Sequence, residues 1–173
     1  MTTYKIDPAH SEILFKVKHL MITNVTGQFK SFDATLTAGA EDFSDAAVSF
    51  TAEIDSIDTR NEQRDGHLKS NDFFNAETYP QLSFTSTSFE KTADGYLLNG
   101  NLTIRDVTRP VALKTNYNGA MVDPWGQHKV GFEAEAVIKR KEFGLSWDAV
   151  TEAGGVVVSD DVRLQFNVQF IKQ

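Results

Sequence analysis

The chain has 173 residues, enough for one domain with a full core and too few for two of ordinary size. Hydrophobic residues make up 40% and charged residues 24%, which excludes a disordered chain, and no apolar run of about 18 residues occurs, which sets integral membrane insertion by a helix aside. A formal charge of -7 repels phosphate backbones and argues against a nucleic-acid partner, while the absence of cysteine removes disulfides, thiolate metal sites and thiol nucleophiles together.

Residues Met1 to Pro8 contain no basic start, apolar run and small-residue cleavage site, so a cytoplasmic location is expected. From there apolar residues fall at every second position, the period of a strand with one face inside and the other in water. The pattern begins weakly at Ile13, Phe15 and Val17. Between Val25 and Leu36 its parity flips, from Val25, Gly27 and Phe29 to Phe32, Ala34 and Leu36, which predicts a bulge or sharp bend in one long strand. It is strong at Val48, Phe50, Ala52 and Ile54. Asn61 to Ser70 reads as a short helix capped by Asn61, with Leu68, Phe73 and Phe74 available to plug one end of the fold. Alternation returns at Leu82 and Phe84, and Asp94-Gly95 marks a hairpin turn. It continues at Leu98, Gly100, Leu102 and Ile104, and again at Val111 and Leu113. Val130, Phe132, Ala134, Ala136 and Ile138 form a strong strand whose intervening Glu133 and Glu135 point to solvent. The exposed run Lys139-Arg140-Lys141 reads as a solvated turn, in which Arg140 could brace backbone or aspartate groups at a corner. Gly154-Gly155 reads as a turn before the last strand, Val162, Leu164, Phe166, Val168 and Phe170.

About eight strands without helices to cover them must cover one another. The expected fold is all-β: an antiparallel eight-stranded barrel with a short capping helix, a single domain over residues 1–173. A barrel of this size is either filled by its own side chains or holds one small ligand. Small inner residues at Gly27, Ala52, Gly100, Ala134 and Ala136 favour a hollow lumen, whereas aromatic neighbours across it would fill the space. Pattern alone leaves both open.

Asp7-Pro8-Ala9-His10-Ser11, followed by Phe15-Lys16-Val17-Lys18-His19-Leu20-Met21, resembles the opening of the YceI-like, polyisoprenoid-binding family. Gly27-Gln28-Phe29, Ser56-Ile57-Asp58-Thr59, the segment Arg64 to Ser70, Asp72-Phe73-Phe74, Tyr79-Pro80 and Phe84 follow in the family's order. So do Leu102-Thr103-Ile104, Val107 to Val111, Asp123-Pro124-Trp125-Gly126, Gly131-Phe132 and Arg140 to Leu145. The resemblance covers essentially the whole chain. It implies an extended lipocalin-like barrel, often a homodimer, with a long apolar ligand threaded through the pore, and it tips the reading towards a hollow lumen. The chain departs from the pattern at Asp106, where the family has glycine, and at Lys139 and Glu142; Asp106 is expected to take the left-handed turn conformation.

An isoprenoid ligand needs walls more than polar groups, since burying it contributes about 0.8 kcal/mol per CH2 before ordering costs. The wall candidates are Phe15, Phe29, Phe50, Phe84, Phe132, Phe143, Trp147 and Phe166, with plain core packing as the competing role for each. Arg64 and His67, beside Leu68 on the capping helix, are the candidates for a polar head group; alternatively Arg64 pairs locally with Asp65 and His67 meets a loop carbonyl. The 4 histidines are scattered without metal-ligand spacing, and no nucleophile elbow or phosphate-cradling loop occurs, so neither metal, cofactor nor catalytic residue is expected. The leading function is binding or carriage of an isoprenoid quinone or polyprenyl phosphate. For an enzyme acting on such a lipid the discriminating observation is a clustered, pKa-shifted pair, such as His67 with Asp65, inside the lumen, and a solid barrel would suit a structural or stress-related interaction protein. An exposed aromatic at a barrel end, Trp125, offers a surface for a homodimer.

Overall fold

The computed structural model describes residues 1–148 and 157–173; the expected turn at Gly154-Gly155 lies outside the described residues. The strands are β1 (Thr2–Ile6), β2 (Glu12–His19), β3 (Thr23–Phe29), β4 (Phe32–Ala38), β5 (Ala47–Glu53), β6 (Ile57–Asp58), β7 (Gln81–Thr92), β8 (Gly95–Ile104), β9 (Val107–Val122), β10 (His128–Lys139) and β11 (Val158–Lys172), with one helix, α1 (Glu62–Lys69). Hydrogen-bonded neighbours run β1-β4-β5-β7-β8-β9-β10-β11, and β11 returns to β1, closing an eight-stranded antiparallel barrel. Closure removes the edges of the eight-stranded barrel where its strands pair on both sides, so that part of the backbone is satisfied without a covering layer of helices.

The remaining strands, β2, β3 and β6, continue three barrel strands downward after a break. A 3-10 turn at Pro8–His10 separates β1 from β2, and another at Ile54–Ser56 separates β5 from β6. The parity flip is the break between β3 and β4 at Lys30 and Ser31: β3 pairs with β2 and β6, whereas β4 pairs with β1 and β5. The bend is fixed by Lys30 N–H donating to Ser56 O (3.2 Å) and Glu53 N–H donating to Ser31 O (2.9 Å). With 15 residues, β11 spans both halves, its Phe170 to Lys172 facing β1 and its Val158 to Asn167 facing β2. Breaks at one level in three adjacent strands let the lower sheet turn away from β7, and α1 follows β6 directly into that space. Asn61 caps α1, accepting from Arg64 N–H at 3.0 Å, as its sequence position predicts.

β9 pairs with β8 from Val107 to Thr115, but with β10 only above Lys114 and Glu135. Pro110, which has no N–H to donate, falls in this one-sided stretch, the place a sheet tolerates proline. The β8–β9 turn corrects one expectation: its left-handed residue is Arg105 (φ 55°), not Asp106. Arg105 is held there by its guanidinium, which donates to Phe73 O and Gly144 O, each at 3.2 Å.

The two ends differ. Above, the loop between β4 and β5 inserts the buried Phe43 against Tyr4 (5.8 Å between ring centroids), Tyr117 (5.3 Å) and Phe132 (5.4 Å), forming an aromatic stopper. Below, α1, the segment after it and the turn following β10 form the floor.

Candidate functional site

Inward-facing residues of the barrel enclose a cavity of about 130 Å3. Phe50, Phe84, Phe132 and Phe166 line it, together with aliphatic side chains such as Leu36, Leu98 and Leu113. Among the described residues Thr115 contributes its one polar side chain, and that hydroxyl donates to Leu113 O at 3.0 Å, so its one donor is already spent on its own strand. Beneath lies a second cavity of about 250 Å3, bounded by Leu68, Phe73, Phe74, Ile138, Leu145 and Trp147. Phe15, Phe29, Leu82, Ile104 and Leu164 line both cavities and form a waist between them. Either volume alone is below the range of about 300–1,000 Å3 for small-molecule sites; stacked, the two enter it.

The small residues act differently from the simple expectation that they open the lumen. A Cβ at Gly27 would collide with the Phe15 ring of the paired strand, and one at Gly100 with the Phe84 ring. Each glycine lets a neighbouring ring lie flat on the wall, so the space gained is taken by an aromatic on the same wall. Ala34, Ala46 and Ala134 do border the upper cavity, whereas Ala52 borders neither.

Of the expected wall residues, Phe15, Phe29, Phe50, Phe84, Phe132 and Phe166 line the upper cavity, and Phe15, Phe29 and Trp147 the lower. Phe143 lines neither. At 2% exposure it is packed solidly in the 3-10 turn Arg140–Phe143, and its position just before Gly144, outside any alternating strand, is the signal that distinguished it. Sequence reasoning missed Ile138, Leu145, Val162 and Leu164 in the lining. Val162, Leu164 and Ile138 already stood on the inner faces of strands, so their parity would have found them.

Of the two stacked cavities, the lower gathers the polar groups: Lys18, His19, Thr59, Arg64, His67 and Arg140 join its lining, with no carboxylate among the described residues. Arg64 does not pair with Asp65. Its Nε donates to Thr59 Oγ1 (2.8 Å) and its Nη2 to Thr59 O (2.6 Å), while Thr59 donates its own hydroxyl to Asp65 Oδ1 (2.5 Å). His67 Nε2 lies 2.8 Å from Asp72 Oδ2, a carboxylate where a loop carbonyl was the alternative, and its ring meets Trp147 edge-on at 4.7 Å. Thr59 thus orients Arg64 with Nη1 uncommitted among the described residues.

Arg140 braces backbone at a corner, as its sequence position allowed, but it is not solvated. Far from a solvated turn residue, it is 3% exposed and donates to four carbonyls: Ser159 (2.9 Å), Leu145 (2.6 Å), Trp147 (2.7 Å) and Val158 (3.1 Å). Burial draws its pKa below the ordinary guanidinium value, opposed by Asp148 and Asp160. It remains charged, since arginine is not deprotonated in proteins, and it fastens the segment carrying Leu145 and Trp147 to the start of β11.

A sequence profile of the YceI-like domain matches residues 4–170. Protein YceI of Salmonella newport is 39% identical over 172 residues, covering 98% of this chain and 87% of that protein. The crystal structure of Burkholderia cenocepacia BcnA superposes with a TM-score of 0.82 at 22% identity, covering 95% of this chain and 98% of that one. A polyisoprenoid binding domain from Saccharophagus degradans, implicated in plant cell wall breakdown, superposes with a TM-score of 0.71 at 17% identity over 98% of both chains. With a profile spanning nearly its full length and a relative at this identity, the chain belongs to the YceI-like domain family.

Proposed function

We propose that the protein binds and carries an isoprenoid-type lipid, an isoprenoid quinone or a polyprenyl phosphate, with the tail in the stacked cavities and the head beside Arg64 and His67. The observation that carries this reading is the upper cavity, whose only polar side chain spends its hydroxyl on its own strand. Such a space offers a polar guest no free donor and favours hydrocarbon over water, at about 0.8 kcal/mol per CH2 transferred. The Saccharophagus degradans domain, a fold relative, is itself a polyisoprenoid binding domain.

Carriage is favoured over catalysis because the candidate pair of His67 with Asp65 is not assembled. Asp65 is held by Thr59, and His67 faces Asp72 at a half-exposed position. A general acid or base must come within hydrogen-bond reach of the group whose proton it moves, and these two side chains are turned to different partners. The test is native purification, extraction with organic solvent and mass spectrometry. A stoichiometric prenyl lipid is the expected result. No bound lipid, together with no uptake of added quinone or polyprenyl phosphate, would overturn the reading and leave the barrel a packed scaffold.

A further inference from the structure

The hairpin joining β2 to β3 carries Leu20, Met21 and Ile22, which are 41%, 62% and 80% exposed. The backbone is left-handed at both Leu20 (φ 53°) and Met21 (φ 62°), and Ile22 N–H closes the turn on His19 O at 3.2 Å. Asparagine and glycine are the residues that suit such a turn, because a side chain there crowds the backbone. The tip therefore bears two costs at once, left-handed backbone and apolar surface in water, and an Asn-Gly pair at positions 20 and 21 would remove the first and reduce the second.

Two further observations say what covers it. Beyond Glu12 at its base, the hairpin through Phe29 contains Lys16, Lys18 and His19 and no acidic residue, in a chain of net charge -7, while Lys30 just after it pairs with Asp58 at 3.0 Å. The adjacent carboxylates of β11 are engaged elsewhere: Asp160 accepts the Lys141 N–H at 3.0 Å, and Asp161 pairs with Lys139. In addition, Lys18, His19 and Val25 of this hairpin line the lower cavity, so the tip stands at the rim of the apolar space.

We infer that the Leu20-Met21-Ile22 tip docks on an anionic lipid bilayer, inserting its apolar side chains while the flanking lysines meet head groups. Apolar insertion combined with basic flanks is the chemistry of interfacial binding. A second copy of the chain fits less well, since a two-fold contact would oppose lysine to lysine. Three partly exposed side chains also fall well short of the roughly 800 Å2 per partner that a stable interface buries. Docking would bring the lower cavity to the membrane, so that an isoprenoid passes between bilayer and barrel without crossing water. That last step rests on the carrier reading; the docking itself does not.

The test is flotation of the full chain with vesicles of phosphatidylcholine containing 30 mol% phosphatidylglycerol, beside pure phosphatidylcholine vesicles. Wild type should float with the anionic vesicles and release in high salt. The double variant Leu20→Asn/Met21→Gly, whose residues suit the left-handed turn, should lose binding about tenfold. Its thermal midpoint should stay or rise, which excludes misfolding as the cause. Because the chain has no cysteine, Ile22→Cys carries a single polarity-sensitive dye, whose emission should shift blue on anionic vesicles alone. Failure of wild type to float, or equal flotation of the variant, overturns the inference. So does a dimer by light scattering that the variant abolishes when wild type does not float. Lipid content by extraction is read separately, so loss of the carrier reading with flotation intact is recognisable as such.

Discussion

Gly27 and Gly100 work as pairs with the rings that lie over them, Phe15 and Phe84. A methyl group at position 27 would push the Phe15 ring off the wall and into the waist it shares with Phe29. Gly27→Ala should therefore lower stability by about 1–3 kcal/mol in urea unfolding and reduce the amount of prenyl lipid recovered on extraction. The double variant Gly27→Ala/Phe15→Leu should recover part of both, because the smaller side chain relieves the collision. Additive losses would mean that the two positions do not interact. Thr115 teaches the opposite lesson. Its hydroxyl, the lone polar side-chain group of the upper lining among the described residues, spends its donor on Leu113 O, so it has no proton to offer a ligand.

Among elements, the connection from β10 to β11 depends on one side chain. Arg140 donates to four carbonyls from both sides of the connection, those of Leu145 and Trp147 on one and of Val158 and Ser159 on the other. Arg140→Met should cost about 3–5 kcal/mol by chemical denaturation, and Arg140→Lys an intermediate amount, since an ammonium cannot span the same carbonyls. At the opposite end, Lys129 of β10 donates to Asp7 (3.1 Å) and lies 3.6 Å from Asp123, tying the hairpin between β9 and β10 to the corner between β1 and β2. Burial raises the Asp7 pKa, but hydrogen bonds from His10 and Lys129 outweigh it, and the net value is depressed. Asp123 is likewise depressed, burial being outweighed by the Gln127 and Trp125 N–H groups and by Lys129. Depressed carboxylates contribute stability that is complete above their unfolded values and lost as pH falls through the folded ones. Acid unfolding should thus steepen below about pH 4, and Lys129→Met should move its midpoint to higher pH. An unchanged midpoint would remove these carboxylates from the acid transition.

For the molecule as a whole, a guest that fills the stacked cavities binds the folded state alone. At a free concentration a hundred times its Kd it should add about 2.7 kcal/mol, which for a domain of this size raises the melting temperature by about 5–10 °C. Delipidated protein should accordingly melt lower by calorimetry and regain the difference when a prenyl lipid is restored. The same addition should leave the lipid-free midpoint unmoved if the lumen cannot open at its Phe15 and Phe29 waist.

The barrel was legible because the period of two is imposed locally: one face of each strand must meet the core, and Val48 to Ile54, Val130 to Ile138 and Val162 to Phe170 show that requirement residue by residue. The ordered motifs from Asp7 to Leu145 likewise carried the family without the fold. The strand β1 escaped because Tyr4 and Ile6 give too short an alternation before Pro8, and β6 because it has only two residues. Periodicity states which face a residue occupies, not what lies across from it. The burial of Arg140, the exclusion of Phe143 from the lining, the stopper at Phe43 and the sharing of Thr59 by Arg64 and Asp65 all depend on segments distant in sequence meeting in space. The sequence determined the sheet and its inner faces; only tertiary packing decided how much of the interior stayed empty and which charges stood at its rim, because volume and hydrogen bonding are properties of the assembled surfaces.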